Sequence, residues 1–110
     1  MKEQIKKIAL RTIELEVRSV EGLQTSITDE FVKAVEALAA TKGRVVISGI
    51  GKSAVIAQKI VATFNSTGTP SIFMHAADAI HGNLGMIQQD DVVMILSKSG
   101  ESPEIKALVQ

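Results

Sequence analysis

Asp91-Val92-Val93-Met94-Ile95-Leu96-Ser97-Lys98-Ser99-Gly100-Glu101-Ser102-Pro103-Glu104 carries the strongest structural signal in the chain. Asp91 to Leu96 is apolar without alternation, as in a parallel strand buried on both faces. Pro103 suits the first turn of a helix, where its missing N–H leaves no bond unmade. Between strand and helix lies a turn with three hydroxyls, Ser97, Ser99 and Ser102. Such a turn aims backbone N–H groups, serine O–H groups and the positive end of a helix dipole at one point, which suits an anion of phosphate size. Three hydroxyls exceed what a turn requires, although serine is also ordinary turn and cap chemistry. Glu104 opens the helix, where its carboxylate could act on a ligand held by the serines.

Upstream, Val45 to Ser48 predicts a short strand apolar on both faces, followed by the turn Gly49-Ile50-Gly51-Lys52-Ser53. Ala54 to about Ser66 has few polar residues and predicts a largely buried helix, stopped by Gly68. Pro70 leads into a second strand, Ser71 to His75. Residues Ala76 to Met86 suggest a short helix broken by Gly82 and Gly85. The order β-α-β-α-β implies right-handed crossovers and a doubly wound parallel sheet of order 2-1-3, a flavodoxin-like three-layer α/β/α fold. Ligands in such sheets bind beyond the carboxyl ends of the strands at the switch point. Gly49–Ser53, His75 and the serine turn would meet there.

Two helices precede this pattern. Ile5, Ile8, Ala9, Ile13, Val17, Val20 and Leu23 recur at helical spacing from Lys2 to about Gln24. That amphipathic helix packs either on its own domain or against a second subunit. Thr28 can cap the next helix, with Phe31, Val35, Leu38 and Ala39 as its buried face and Gly43 as its C′ residue. The whole, 1–110, reads as one α/β domain: helices over 1–43 and a βαβαβ core over 44–110. The helix begun by Pro103 lacks a C-cap before Gln110, and the apolar third strand wants a neighbour on each edge. The expectation is the front part of a longer domain, or dependence on a partner chain.

Composition narrows the function classes. Lys plus Arg equals Asp plus Glu at 12 each, and with no Trp, no Tyr and 3 Phe there is no platform for base stacking. Nucleic acid is therefore not expected as a partner. No Cys is present, no signal-like segment follows the first lysines, and no apolar run approaches a membrane span. The expectation is a cytoplasmic, soluble protein with no membrane partner.

The Gly49–Ser53 turn is not a Walker loop, because the required glycine is Val46. A dinucleotide fingerprint would use Gly49, Gly51 and Ala54, but no acid ends the second strand. Glycines present for backbone reasons alone are the plain alternative. Lys52 stands at a helix N-terminus against the preference of the dipole, which suits an anion or a developing negative charge. A solvated lysine is the plain reading. His75 and His81 are the two histidines, and with Asp78 they make a poor zinc set.

Four blocks in order carry a family resemblance over about residues 44 to 110: Gly49-Ile-Gly-Lys-Ser, Ser66-Thr-Gly-Thr-Pro, His75-x-x-x-Ala-x-His-Gly-x-Leu-Gly-Met, and Ser97-x-Ser-Gly-Glu-Ser-x-Glu. The chain resembles the sugar isomerase (SIS) domain family, and within it the arabinose-5-phosphate isomerases. The resemblance implies interconversion of D-ribulose 5-phosphate and D-arabinose 5-phosphate, feeding 3-deoxy-D-manno-octulosonate for lipopolysaccharide. It also implies a homotetramer, often with a pair of CBS domains after the SIS domain. By resemblance, Lys52 and Glu104 are catalytic. Gly68, Thr69, His75 and His81 contact substrate, and His75 also meets an inhibitory zinc. Gly51 and Ser53 fall in the first block and are expected at the substrate as well. A further Glu and His belong to the family's later half. Lys98, Asn83 and Ala54-Val55 depart from the commoner Asn, Asp and Gly-His.

The chemistry then expected is an aldose–ketose isomerisation needing neither redox cofactor nor metal. Ser97, Ser99 and Ser102 grip the phosphate, Glu104 moves a proton between C1 and C2, and Lys52 stabilises the enediolate. Two alternatives stay open: a non-catalytic phosphosugar-binding module, and an interaction fragment with no ligand.

Overall fold

A computed structural model describes residues 1–77 and 83–98 of the chain. Its elements are α1 (Lys2–Gly22), a 3-10 turn (Leu23–Ser26), α2 (Asp29–Ala39), β1 (Val45–Gly49), α3 (Lys52–Ser66), β2 (Ser71–His75), a second 3-10 turn (Asn83–Met86) and β3 (Val92–Leu96). The three strands form a parallel sheet in the order β2-β1-β3. The α/β class and the strand order are as expected.

β1 is central and buried at every residue. Its alternate side chains feed two cores. Val45 and Ile47 pack with Ala57 of α3, joined by Leu38, Phe64, Phe73, Met94 and Leu96. Val46 faces the other way, with Met74, Ile72 and Ile87. Ser48 shares that second face by alternation. Its hydroxyl is fully buried and has no hydrogen-bond partner among the described residues.

Two connections are tied at the amino ends of the strands. Gly68 adopts φ +96°, and the Thr69 N–H donates to Phe64 O at 2.8 Å. This is a Schellman stop, and it confirms Gly68 as the residue that ends α3. Asn65 then clamps the start of β2: its Oδ1 accepts the Ser71 N–H at 2.8 Å and its Nδ2 donates to Ser71 O at 3.1 Å. At the start of β3, Asp91 Oδ1 accepts the Arg44 N–H, and Oδ2 accepts from Gln88 N–H and from Arg44 Nη2.

Several burial expectations are corrected. In α2, Phe31 and Val35 are each 47% exposed and Ala39 is exposed, leaving only Leu38 half-buried. In α3 only Ala54 and Ala57 are buried, and Val55 and Ile56 face outward. β3 is half-buried rather than buried, because among the described residues no strand pairs with its outer edge. Gly43 is not a left-handed C′ residue, since α2 ends at Ala39 and Gly43 has no positive φ. Its role is close approach: a Cβ there would stand 2.6 Å from Asp91 Oδ1 and 2.7 Å from Asp90 O.

Contacts divide the chain into two units, 1–36 and 37–110. The first unit holds α1, none of whose residues is buried. The expected short helix after β2 begins at Ala76 and Ala77, and its remainder lies outside the described residues. Among the described residues no helix is long and apolar enough to cross a membrane.

Candidate functional site

The ends of all three strands coincide. Gly49 pairs with His75 on one side and with Leu96 on the other. Whatever leaves β1, β2 and β3 at those residues shares one rim. His75 and Leu96 are then separated by two strand spacings, roughly 10 Å.

From β1 the chain leaves through Gly49-Ile50-Gly51 and enters α3 at Lys52. Gly51 holds φ 62° and ψ −132°, a conformation open in practice to glycine alone. A Cβ at Gly49 would stand 3.0 Å from the Ser53 carbonyl carbon and 3.1 Å from its oxygen. One glycine makes the turn and the other lets the first turn of α3 approach the strand. Each therefore has a sufficient backbone reason. Their joint effect is to set Lys52 and Ser53 at the N-terminus of α3, above the carboxyl end of the sheet.

β3 delivers Ser97 and Lys98 to the same place. Lys52, Ser53, Ile56, Ile95, Leu96, Ser97 and Lys98 line one cleft of about 530 Å³. The meeting of the glycine turn with the start of the serine turn is thus present. Ile56 and Lys98 are lining residues that sequence reasoning passed over. The signal for Lys98 was its place directly after a strand-end serine. The signal for Ile56 was its spacing of four from Lys52 on one helix.

His75 stands on this rim, on the α3 face of the sheet, its ring edge-on to Phe73 at 6.2 Å. Its Nδ1 accepts the Ala77 N–H at 3.1 Å. With Nδ1 taken up by that bond, Nε2 is the ring nitrogen left to meet a ligand. Among the described residues no three of His, Cys, Asp or Glu gather as a metal would need.

Gly68 and Thr69 are not at this rim. They follow the C-terminus of α3 and precede Ser71, which pairs with Val45 at the amino end of the sheet. α3 separates them from Lys52 by about 22 Å of helix. His81, Ser99, Ser102 and Glu104, with Asp78, lie outside the described residues.

A parallel β2-β1-β3 sheet with a cleft where β1 and β3 release their chains defines a doubly wound α/β protein, and the cleft lies at the switch point, where ligands of such sheets bind. The SIS domain profile matches residues 37–110, and the chain belongs to that family. It is 55% identical over 101 residues to an arabinose 5-phosphate isomerase of Pseudomonas aeruginosa, covering 92% of this chain and 31% of that one. It is 41% identical over 109 residues to an arabinose 5-phosphate isomerase of Escherichia coli K12, covering 99% and 34%. A solved structure, an Escherichia coli CFT073 protein in complex with arabinose 5-phosphate, superposes with a TM-score of 0.89 at 42% identity, covering 97% of this chain and 57% of that one. The chain thus spans about a third of the length of the curated relatives it matches.

Proposed function

We propose that these residues belong to a phosphosugar aldose–ketose isomerase that interconverts D-ribulose 5-phosphate and D-arabinose 5-phosphate. The observation that carries the reading is the shared cleft: Lys52 and Ser53 from α3 and Ser97 from β3 line it together. The likeness to relatives named for that isomerisation supports the choice of sugar.

In the proposed reaction the phosphate is held by Ser97, Ser99 and Ser102 with adjacent N–H groups. Glu104 removes a proton from C1 of the ketose, exchanges it with solvent and delivers one to C2 through an enediolate, while the O1 hydroxyl proton passes to O2. Lys52 stands where negative charge develops on the enediolate oxygen and lowers its energy by direct attraction. His75, through Nε2, contacts the sugar. The product would serve 3-deoxy-D-manno-octulosonate and lipopolysaccharide synthesis in the cytoplasm.

The proposal includes a homo-oligomer, of four subunits by resemblance. Its support is the apolar face of α1: Ile13, Val17 and Val20 expose 58%, 49% and 64% of their surfaces. Gly68 and Thr69, at the far rim of the sheet, would then reach a substrate only from a second copy.

The test is isomerisation in D2O by the full-length protein. Ribulose 5-phosphate should yield arabinose 5-phosphate carrying deuterium at C2, and Glu104→Gln should abolish both turnover and exchange. A non-catalytic phosphosugar module would bind the sugar phosphate without exchange. An interaction fragment would show no thermal shift with it.

A further inference from the structure

We propose that Lys98 is the cation that recognises the substrate's phosphate, which leaves Lys52 free for the oxyanion at the reacting carbons; this rests on the isomerase reading above. Lys52 at the start of α3 and Lys98 beyond the end of β3 line the same cleft. Both side chains are exposed, so both are hydrated cations able to turn toward an entering anion. Among the described residues that lining holds two lysines, two serines and three aliphatic side chains, and no carboxylate.

The two lysines enter from different elements, and the ligand has two places that need positive charge. A phosphate monoester carries about −1.5 to −2 at neutral pH. Serine hydroxyls and backbone N–H groups give it hydrogen bonds but no net counter-charge. The second place is the enediolate, at C1 and C2, the opposite end of a pentose 5-phosphate. One lysine serving both would bind ground state and transition state alike, and uniform binding does not raise kcat. Lys98 adjoins Ser97 in the serine turn, so it belongs with the phosphate. Lys52 enters the cleft from α3 rather than from the serine turn, and the proposal gives it the sugar's reacting end. The exposed position also suits recognition of a charge as the ligand arrives, rather than a desolvated ion pair within the fold.

The experiment compares wild type, Lys98→Gln and Lys98→Arg in the full-length protein. Kinetics are measured with ribulose 5-phosphate, and titrations with arabinose 5-phosphate and with inorganic phosphate. Lys98→Gln should raise KM and both dissociation constants about 3–10-fold, and Lys98→Arg should restore them. Wild-type affinity should rise with pH through the second phosphate ionisation near about 6, and the rise should flatten in Lys98→Gln. If wild type binds and turns over but Lys98→Gln matches it in KM, affinity and pH profile, the division of labour is wrong and the isomerase reading survives. An effect on kcat alone likewise overturns it. If wild type neither binds the sugar phosphate nor turns it over, both readings fall together.

Discussion

Asp91 grips Arg44 with both carboxylate oxygens: Oδ1 takes the backbone N–H at 2.7 Å and Oδ2 meets Nη2 at 3.1 Å. The pair joins the starts of β1 and β3, opposite the rim that carries the cleft. Arg44 Nη2 also donates to Met86 O at 2.9 Å, drawing in the segment before β3. The Asp91 side chain is 2% exposed. Above all the Arg44 backbone N–H, then that of Gln88 and the Arg44 guanidinium, hold its carboxyl at about 2 against an ordinary 3.8. Its stabilising contribution is therefore complete above about pH 4 and fades as pH falls toward 2. Asp91→Asn puts an amide donor among donors. It should lower Tm by a few degrees at pH 7 and make the acid limb of a pH–stability curve shallower between pH 4 and 2. An unaltered acid limb would show that the clamp carries none of the acid sensitivity.

Gly43 and Gly51 are constrained for different reasons, and thermal unfolding of the two alanine variants, read together with turnover, separates them. Gly43→Ala drives a Cβ into Asp90 and Asp91, and overpacking of that kind costs about 1–3 kcal/mol. Gly51→Ala meets no atom of the described residues within 4 Å but must hold φ 62°. That backbone strain also costs about 1–3 kcal/mol. Only Gly51→Ala should additionally lower the turnover of ribulose 5-phosphate, because it moves Lys52.

Ser48 offers a prediction of the opposite sign. Its hydroxyl is buried in the central strand without a partner among the described residues. Removing an unsatisfied buried group relieves a desolvation cost of about 1–3 kcal/mol. Ser48→Ala should therefore leave the denaturant midpoint unchanged or raise it. A loss of stability would mean that the hydroxyl has a partner in solution.

The fold was legible where alternation ceased. The unbroken apolar runs Val45–Ser48 and Val92–Leu96 marked parallel strands, and the glycine and serine turns placed the rim. Burial was less legible, because periodicity marks a face without saying what covers it. Phe31, Val35, Val55 and Ile56 are apolar at helical spacing and yet exposed. Gly43 misled because a glycine after a helix resembles a cap, while its real constraint comes from Asp90 and Asp91, far along the chain. The Arg44–Asp91 clamp went unread for the same reason: no local pattern announces a pair so far apart. In the site, Lys52, Ser53 and Ser97 were found because motif and strand end coincide. Gly68 and Thr69 precede β2 and so read as lying at the amino end of the parallel sheet; only the resemblance put them at the substrate.

The apolar face of α1 bears on assembly. Val17→Asp, with Ile13→Asp as a second variant, should lower the mass of the full-length protein in sedimentation equilibrium while helical content is retained. Unchanged mass in both would remove α1 from the interface.

The most direct measurement is the turnover of ribulose 5-phosphate by the full-length protein carrying Lys52→Ala. Losing one preorganised group at a developing oxyanion costs about 10²–10³ in kcat. That fall is expected, with KM little moved. Turnover equal to wild type would contradict a role for Lys52 beside the reacting carbons and, with it, the account of this cleft.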